Sequence, residues 1–310
     1  MSEIAELILN AGRSGIELAL FVLLPVMIVM LSLMRLLESW GALAVVVRAV
    51  SPLLKPFGIP GMGIFAMLQI LFVSFAAPVA TLAMMDRSGV SDRHIAATLA
   101  MVLVLAQANV VFPMAAVGLQ VLPCLLISLV SGIIAAALCY HLFGRHLNAD
   151  EPAASGELVT DDVQPGILGL INRAGRDAFD IAIGALPMLV LALVVVYSLR
   201  AIGVIESLET GLAPLLASLG LPAQALLPII TKFIAGGTAM MGVTVDAIQQ
   251  GLISPQQFNR LAGLLIHPLD LAGVAVLISA GRRVGAVVRP ALLAALIALL
   301  LRATAHLLIF

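Results

Sequence analysis

Proline and glycine residues recur at one constant spacing along this chain. Pro25, for example, is followed 162 residues later by Pro187. The complete set pairs Pro25, Gly41, Pro52, Gly58, Pro60 and Gly89 with Pro187, Gly203, Pro214, Gly220, Pro222 and Gly251. The segment SPLLKPFGIP is echoed by APLLASLGLP at the same offset. Because these residues begin, end or kink helices, the spacing predicts two copies of one helical arrangement.

The runs between these residues are strongly apolar. Of the 310 residues, 62% are hydrophobic and only 11% are charged, and the mean hydropathy is +1.17. Soluble domains carry about 25% charged residues. The composition therefore predicts an all-α polytopic membrane protein whose surroundings are the lipid bilayer. No basic tract is available for nucleic acid, so no nucleic-acid partner is expected.

The apolar runs lie on both sides of one polar segment. Asn148 to Gln164 is acidic and rich in small residues, which predicts a solvated linker. We predict a first repeat over 1–147, a linker over 148–166 and a second repeat over 167–310. Trp40 to Lys55 mixes an aromatic, two cations and apolar residues, as in an interfacial helix. The predicted spans include Leu18 to Met34, Arg93 to Phe112 with a bend at Pro113, Val121 to Phe143, Gln256 to Ala280 and Gly285 to Phe310.

Each repeat also contains an apolar stretch that is interrupted at its centre. In the first, Met62 to Val73 has twelve residues and Pro78 to Arg87 has ten. Helices of this length reach roughly 15 to 18 Å, about half of a hydrocarbon core. We expect a re-entrant hairpin that is interrupted at Ser74, Ala76, Ala77 and Pro78, with one kinked spanning helix as the alternative. In the second repeat, Ala223 to Gly251 is interrupted by Ala-Gly-Gly-Thr at 235–238.

The Lys and Arg positions favour the hairpins over kinked spans. With two hairpins, each repeat has three transmembrane helices, and eleven of the 16 cations collect on one face. Arg302 is among the four on the other face, and Lys232 lies inside the second hairpin. With kinked spans, one membrane face would carry seven Lys and Arg residues and the other would carry eight. Because cytoplasmic loops are rich in Lys and Arg, we expect inverted repeats with a cytoplasmic linker and both termini outside, in a bacterial inner membrane.

The order LPVMIVMLSLMRLLESWG, SPLLKPFGIP and SFAAPVATLAMMDRSGVSDRHI resembles the gate, or nucleoside-recognition, domain. That domain occurs in concentrative nucleoside transporters, in bacterial ferrous-iron transporters and in the spore maturation proteins A and B. The resemblance implies inverted repeats whose hairpin tips meet around a substrate near mid-membrane, and a homo-oligomer. In the nucleoside transporters the first tip carries a Gly-Gln-Thr-Glu-Ala-Pro-like run. Here Ala77 and Pro78 are retained, whereas residues 73–76 lack the glutamine, threonine and glutamate.

Polar residues deep in apolar helices are the candidate binding residues, because they are costly in lipid and usually face a cavity or each other. After the interrupted stretches the spacing shifts by one residue, with Ser91 matching Ser254, and Gln107 and Asp270 then fall at equivalent places in the two repeats. Asp270 is also the candidate for ion coupling, with Na+ or H+ left open. The predicted substrate-binding set is Ser74, Pro78, Gln107, Asn109, Gly236, Gly237, Thr238, His267 and Asp270. Tight hairpin packing, interhelical hydrogen bonds and, for His267, relief of the kink at Pro268 are the structural alternatives.

These residues predict a permease rather than an enzyme. The sequence contains no paired carboxylates, metal-spaced histidines or nucleophile motif, so we expect no catalytic residues, metal site or cofactor. The hypothesis is transport of a small polar solute, with a nucleoside-like molecule as one candidate, by alternating access between the hairpin tips. The alternative is a membrane assembly or regulatory component that transports nothing, similar to the spore maturation proteins.

Overall fold

The computed structural model describes residues 2–149 and 166–310, so the predicted linker lies almost entirely outside the described residues. The described part of the chain is helical and contains no strand. A π-helical turn, Leu18–Leu23, joins the first two helices, and another, Cys139–Phe143, extends the eighth. The helices of the first half are α1 (Ser2–Glu17), α2 (Leu24–Ser39), α3 (Ala42–Leu54), α4 (Gly61–Phe72), α5 (Pro78–Arg87), α6 (Asp92–Val104), α7 (Ala108–Ala115) and α8 (Val121–Leu138).

The second half follows a similar order, with a long first helix and further breaks. Its helices are α9 (Ile167–Ala201), α10 (Val204–Ser218), α11 (Leu226–Gln249), α12 (Pro255–Leu265), α13 (Leu271–Ile278), α14 (Arg282–Ala286) and α15 (Val288–Ile309). Gly41 and Gly203, which precede α3 and α10, have φ of +69° and +77°. Glycine adopts this left-handed conformation without steric cost, so the equivalent glycines end one helix and begin the next in both halves.

Four helical segments in the described residues are long and apolar enough to cross a membrane. They are Asp92–Ala115, Val121–Phe143, Ala223–Gln249 and Val288–Ile309. A fifth span is reached if Val45–Phe57 and α4 are counted together as one broken segment. The angle between these two helices is 108°. These helices confirm the prediction of a helical membrane protein. The predicted first span, Leu18 to Met34, is helical throughout.

The first interrupted stretch forms two helices that fold back on each other. Near the turn, the Thr81 hydroxyl donates to Gln69 Oε1 at 2.8 Å. At the other end, Ser88 Oγ lies 3.8 Å from Met62 Sδ. Because these two pairs join opposite ends of α4 and α5, the helices are antiparallel. The second helix begins at Pro78, as expected for a proline in a first turn.

The second interrupted stretch is helical on both sides of a single residue. Gly236 has φ +85° and ψ 178°, and the residues on either side of it belong to α11. The whole segment Ala223–Gln249 also meets the length and hydropathy of a membrane span. The kink is where the Ala-Gly-Gly-Thr sequence predicted an interruption, and the second re-entrant hairpin remains a prediction.

Two predicted spans are divided, and one of the breaks lies elsewhere than expected. The prediction that Arg93 to Phe112 bends at Pro113 is wrong, because Pro113 lies inside α7 and the helix is interrupted at residues 105–107. The free backbone groups there have partners on other helices: Ala106 N–H donates to the Ser128 hydroxyl. Gln256 to Ala280 is likewise divided between α12 and α13.

The two halves interlock instead of forming separate bodies. The Ser14 and Tyr197 hydroxyls lie 3.3 Å apart, and Arg35 forms an ion pair with Asp177. The first helices of the two halves, α1–α2 and α9, are therefore antiparallel to each other. Buried apolar residues between 106 and 124 of the first half share one core with buried residues between 216 and 266 of the second, and buried residues between 269 and 299 share the other core with the first half.

Candidate functional site

A cavity of about 300 Å³ lies where the interrupted segments of both halves meet. The turn of the first hairpin contributes Phe75 and Ala76, and the kink in α11 contributes residues 235–239. The break before α7 contributes Gln107, and the break before α13 contributes Asp270 with the first turns of that helix. Gly184 of α9 completes the lining. This volume is at the lower end of the range found for small-molecule sites.

Five of the residues predicted from the sequence line this cavity. They are Gln107, Gly236, Gly237, Thr238 and Asp270. A Cβ placed on Gly237 would lie 2.1 Å from Gln107 Nε2 and 3.2 Å from Val110. A methyl group here would displace the Gln107 amide, so glycine lets that amide approach the kink closely. Whether these residues bind a solute stays a prediction.

The other four predicted residues lie close by but do not line the cavity. Ser74 is buried in the turn of the first hairpin, and Pro78 begins α5. Asn109 Oδ1 accepts a hydrogen bond from Phe75 N–H at 3.3 Å, so this side chain holds the turn against α7. His267 Nδ1 accepts from Leu269 N–H at 3.0 Å, and Nε2 lies 2.8 Å from Leu264 O. Both ring nitrogens of His267 thus bind backbone groups freed at the break.

A buried ion pair closes one side of the cavity. Lys232 is completely buried, and its ammonium group is paired with Asp270 Oδ2. The other carboxylate oxygen, Oδ1, accepts from Gly273 N–H at 2.8 Å and caps the N-terminus of α13. Both oxygens of Asp270 are therefore engaged, one by a cation and one by the backbone. Sequence analysis placed Lys232 inside the second hairpin but did not pair it with Asp270, since 38 residues separate them.

Arg302 is the functional candidate that sequence analysis missed. Sequence analysis counted it only among the cations of one membrane face, whereas it lies within α15 and is completely buried. One guanidinium nitrogen, Nη1, donates to Val104 O at 2.6 Å and to Ile266 O at 2.7 Å. Val104 is the last residue of α6 and Ile266 directly follows α12, so one side chain binds the C-terminal ends of both helices that precede the breaks. A cation is favourable at helix C-termini, and this one binds two.

The cavity has no metal-binding cluster of the ordinary kind. Within residues 2–149 and 166–310, no group of three or more His, Cys, Asp or Glu side chains is arranged to hold an ion. The two cysteines, Cys124 and Cys139, are both buried and unbridged. The contacts near the cavity are hydrogen bonds and one ion pair.

The kink at Gly236 should depend on glycine more strongly than the turn at Gly203. We expect Gly236→Asn to lower the free energy of unfolding by about 1–3 kcal/mol, because φ +85° with ψ 178° is a conformation that only glycine adopts readily. The matched control is Gly203→Asn, since asparagine tolerates φ +77° with ψ 8°. Equilibrium unfolding in mixed detergent micelles measures both. Equal losses at the two positions would contradict the assigned kink.

The fold and the cavity together define a polytopic helical membrane protein with an internal, ligand-sized site. The fold is shared with solved structures of CNTnw, a concentrative nucleoside transporter. A CNTnw variant in an outward-facing state matches with a TM-score of 0.70 and 14% identity, over 99% of this chain and 83% of that chain. CNTnw in an inward-facing substrate-bound state matches with a TM-score of 0.67 and 17% identity, over 99% of this chain and 83% of that chain. No family model and no curated protein matches the sequence.

Proposed function

We propose that this chain is a transporter that carries a small polar solute across the bacterial inner membrane. The observation that carries the proposal is the cavity, to which turns and breaks from both halves contribute. Discontinuous helices that meet at one site are typical of secondary transporters, in which the two repeats move relative to each other. Alternating access is supported by the fold shared with CNTnw, whose structures include outward-facing, intermediate and inward-facing states.

The proposal includes two inverted repeats of the gate-domain type. The antiparallel packing of α1–α2 against α9 supports an inverted relation, as does the binding of Val104 O and Ile266 O by one arginine. In the first repeat, the antiparallel α4 and α5 support a re-entrant hairpin. In this arrangement, both termini are periplasmic, the linker is cytoplasmic and the cavity lies near the middle of the membrane. A homo-oligomer and coupling to Na+ or H+ remain predictions.

The proposal is tested by solute uptake into proteoliposomes. Nucleosides, amino acids, organic anions and organic cations are first screened for thermal stabilisation of the purified protein, and each hit is then assayed for uptake. We expect uptake of at least one solute and a loss of about tenfold in Gly237→Ala, because the added methyl group displaces the Gln107 amide.

The matched control is Gly211→Ala, an exposed position in α10 with open space around it. This variant should transport at the wild-type rate. If no solute class stabilises the protein and none is taken up, while the chain copurifies with a stable membrane partner, transport would be rejected in favour of an assembly or regulatory role. If Gly237→Ala transports normally, the solute does not use this cavity.

A further inference from the structure

The cavity is surrounded mainly by the N-termini of helices. Ala76 precedes α5, Gln107 is the N-cap of α7, Asp270 is the N-cap of α13, and residues 237–239 begin the second segment of α11. Each of these helical segments has eight residues or more. The N-terminus of a helix carries a partial positive charge and free N–H groups, which favour an anion.

The C-termini at the two breaks face away from the cavity. Arg302 binds the last carbonyls of α6 and α12, and it does not line the cavity. Among the lining residues, Ala235 belongs to the C-terminal end of the first segment of α11 and Val276 to the last turn of α13. At each break, the helix that ends there directs its partial negative charge towards Arg302. The helix that begins there directs its partial positive charge towards the cavity.

An independent observation points to a ligand at the same place. Gln107 lines the cavity, is only 2% exposed, and its side-chain amide makes no hydrogen bond within the described part of the chain. Its amide atoms are not among the fully enclosed unpartnered atoms of the described residues, so they face the cavity and take their hydrogen-bond partner from its contents, water or a solute. The amide can donate two hydrogen bonds.

The one carboxylate at the cavity is not free to bind a cation. Asp270 Oδ2 is paired with Lys232 and Oδ1 caps α13, so the pair contributes no net charge. Apolar side chains, among them Phe75, Ala272 and Val276, form much of the remaining wall. We propose that the cavity recognises the carboxylate group of a small organic anion whose body is apolar, and that it discriminates against cations. This inference takes one premise from the proposed function, which is that the solute binds in this cavity.

The inference is tested by comparing the binding of three molecules that have nearly the same shape but different charge: the anion benzoate, the neutral benzamide and the cation benzylammonium. Binding to the purified full-length chain in detergent is measured by titration calorimetry and by thermal stabilisation. We expect benzoate to bind about tenfold or more tightly than benzamide, because several helix N-termini favour the anion, and benzylammonium to bind most weakly. Gly237→Ala should weaken benzoate binding, since it displaces Gln107.

Two variants of the ion pair extend the test. In Asp270→Asn the carboxylate that repels an anion is removed and the Lys232 ammonium is released, so benzoate should bind about tenfold more tightly than to the wild type. If this variant does not fold, Lys232→Met/Asp270→Asn removes both charges together and should keep the preference for benzoate over benzamide. Loss of all aromatic ligand binding in both variants would indicate that Asp270 itself binds the ligand, and would overturn the inference.

The remaining outcomes distinguish this inference from the proposed function. If benzamide or benzylammonium binds as tightly as benzoate and Gly237→Ala abolishes that binding, the cavity is a solute site but carboxylate recognition is wrong. If none of the three molecules binds, carboxylate recognition is also wrong, and transport is judged by the broad screen of solutes. Tight benzoate binding that Gly237→Ala leaves unchanged would place the anion elsewhere and likewise overturn the inference.

Discussion

Replacing Lys232 with methionine is expected to lower the free energy of unfolding by about 3–5 kcal/mol. The substitution leaves the buried carboxylate of Asp270 without its cation, and an unpaired charge is costly in a low-dielectric interior. Asp270→Asn should cost a similar amount, because it leaves the ammonium unpaired. Equilibrium unfolding in mixed detergent micelles measures the loss, and Lys55→Met, at an exposed lysine, is the matched control with a change within about 0.5 kcal/mol.

The double variant Lys232→Met/Asp270→Asn tests whether the two side chains stabilise the protein together, as an ion pair, or independently of each other. Removing both partners of a buried pair is often close to neutral, so the double variant should regain most of the stability lost in each single variant. The asparagine oxygen can still accept from Gly273 N–H and cap α13. Additive losses in the double variant would show that the two charges do not interact.

Replacing Arg302 with methionine is expected to lower the free energy of unfolding by about 3 kcal/mol. The methionine fills the space but leaves the carbonyls of Val104 and Ile266 buried without a donor, and each orphaned group costs about 1–3 kcal/mol. Desolvation of the guanidinium group, which the variant no longer requires, reduces the loss. The measurement is the same unfolding titration.

Two controls accompany Arg302→Met: the same substitution at an exposed arginine, and a conservative substitution at Arg302 itself. Arg48→Met, at an exposed arginine of α3, should change stability by no more than about 0.5 kcal/mol. Arg302→Lys should be intermediate, because an ammonium keeps the charge but lacks the planar guanidinium geometry. A fully stable Arg302→Met variant would mean that the two breaks do not depend on this side chain.

The features that could be predicted from the sequence are those that local chemistry determines. Proline fixes φ and lacks a backbone donor, so Pro78 marked the start of α5 correctly, and the first helix of that hairpin begins one residue before the predicted Met62. The pair of glycines at 236 and 237 likewise marked the kink in α11. The repeat spacing pointed to Gln107 and Asp270 as equivalent residues, and both line one cavity.

The breaks in α6–α7 and α12–α13 depend on contacts that no local pattern encodes. Ser128 and Arg302 satisfy backbone groups at Ala106 and Val104, and they lie 22 and 198 residues further along the chain, in other helices. Sequence analysis therefore assigned the bend to Pro113, the nearest residue with a local reason to disturb a helix. Arg302 lay inside a predicted span but was counted only as a cation of one membrane face, because nothing in its local sequence indicates which backbone groups it binds.

Alternating exposure of the cavity is the central claim, and cysteine accessibility tests it most directly. In a background with Cys124→Ala and Cys139→Ala, the only two native cysteines, Thr238→Cys places one thiol on the cavity wall. Oriented membrane vesicles are labelled with a membrane-impermeant maleimide from one side or the other. If the cavity opens alternately to the two sides, the thiol is labelled from each side, and labelling from both sides is slower when a stabilising solute is added. Labelling from one side only, unaffected by any solute, would contradict it.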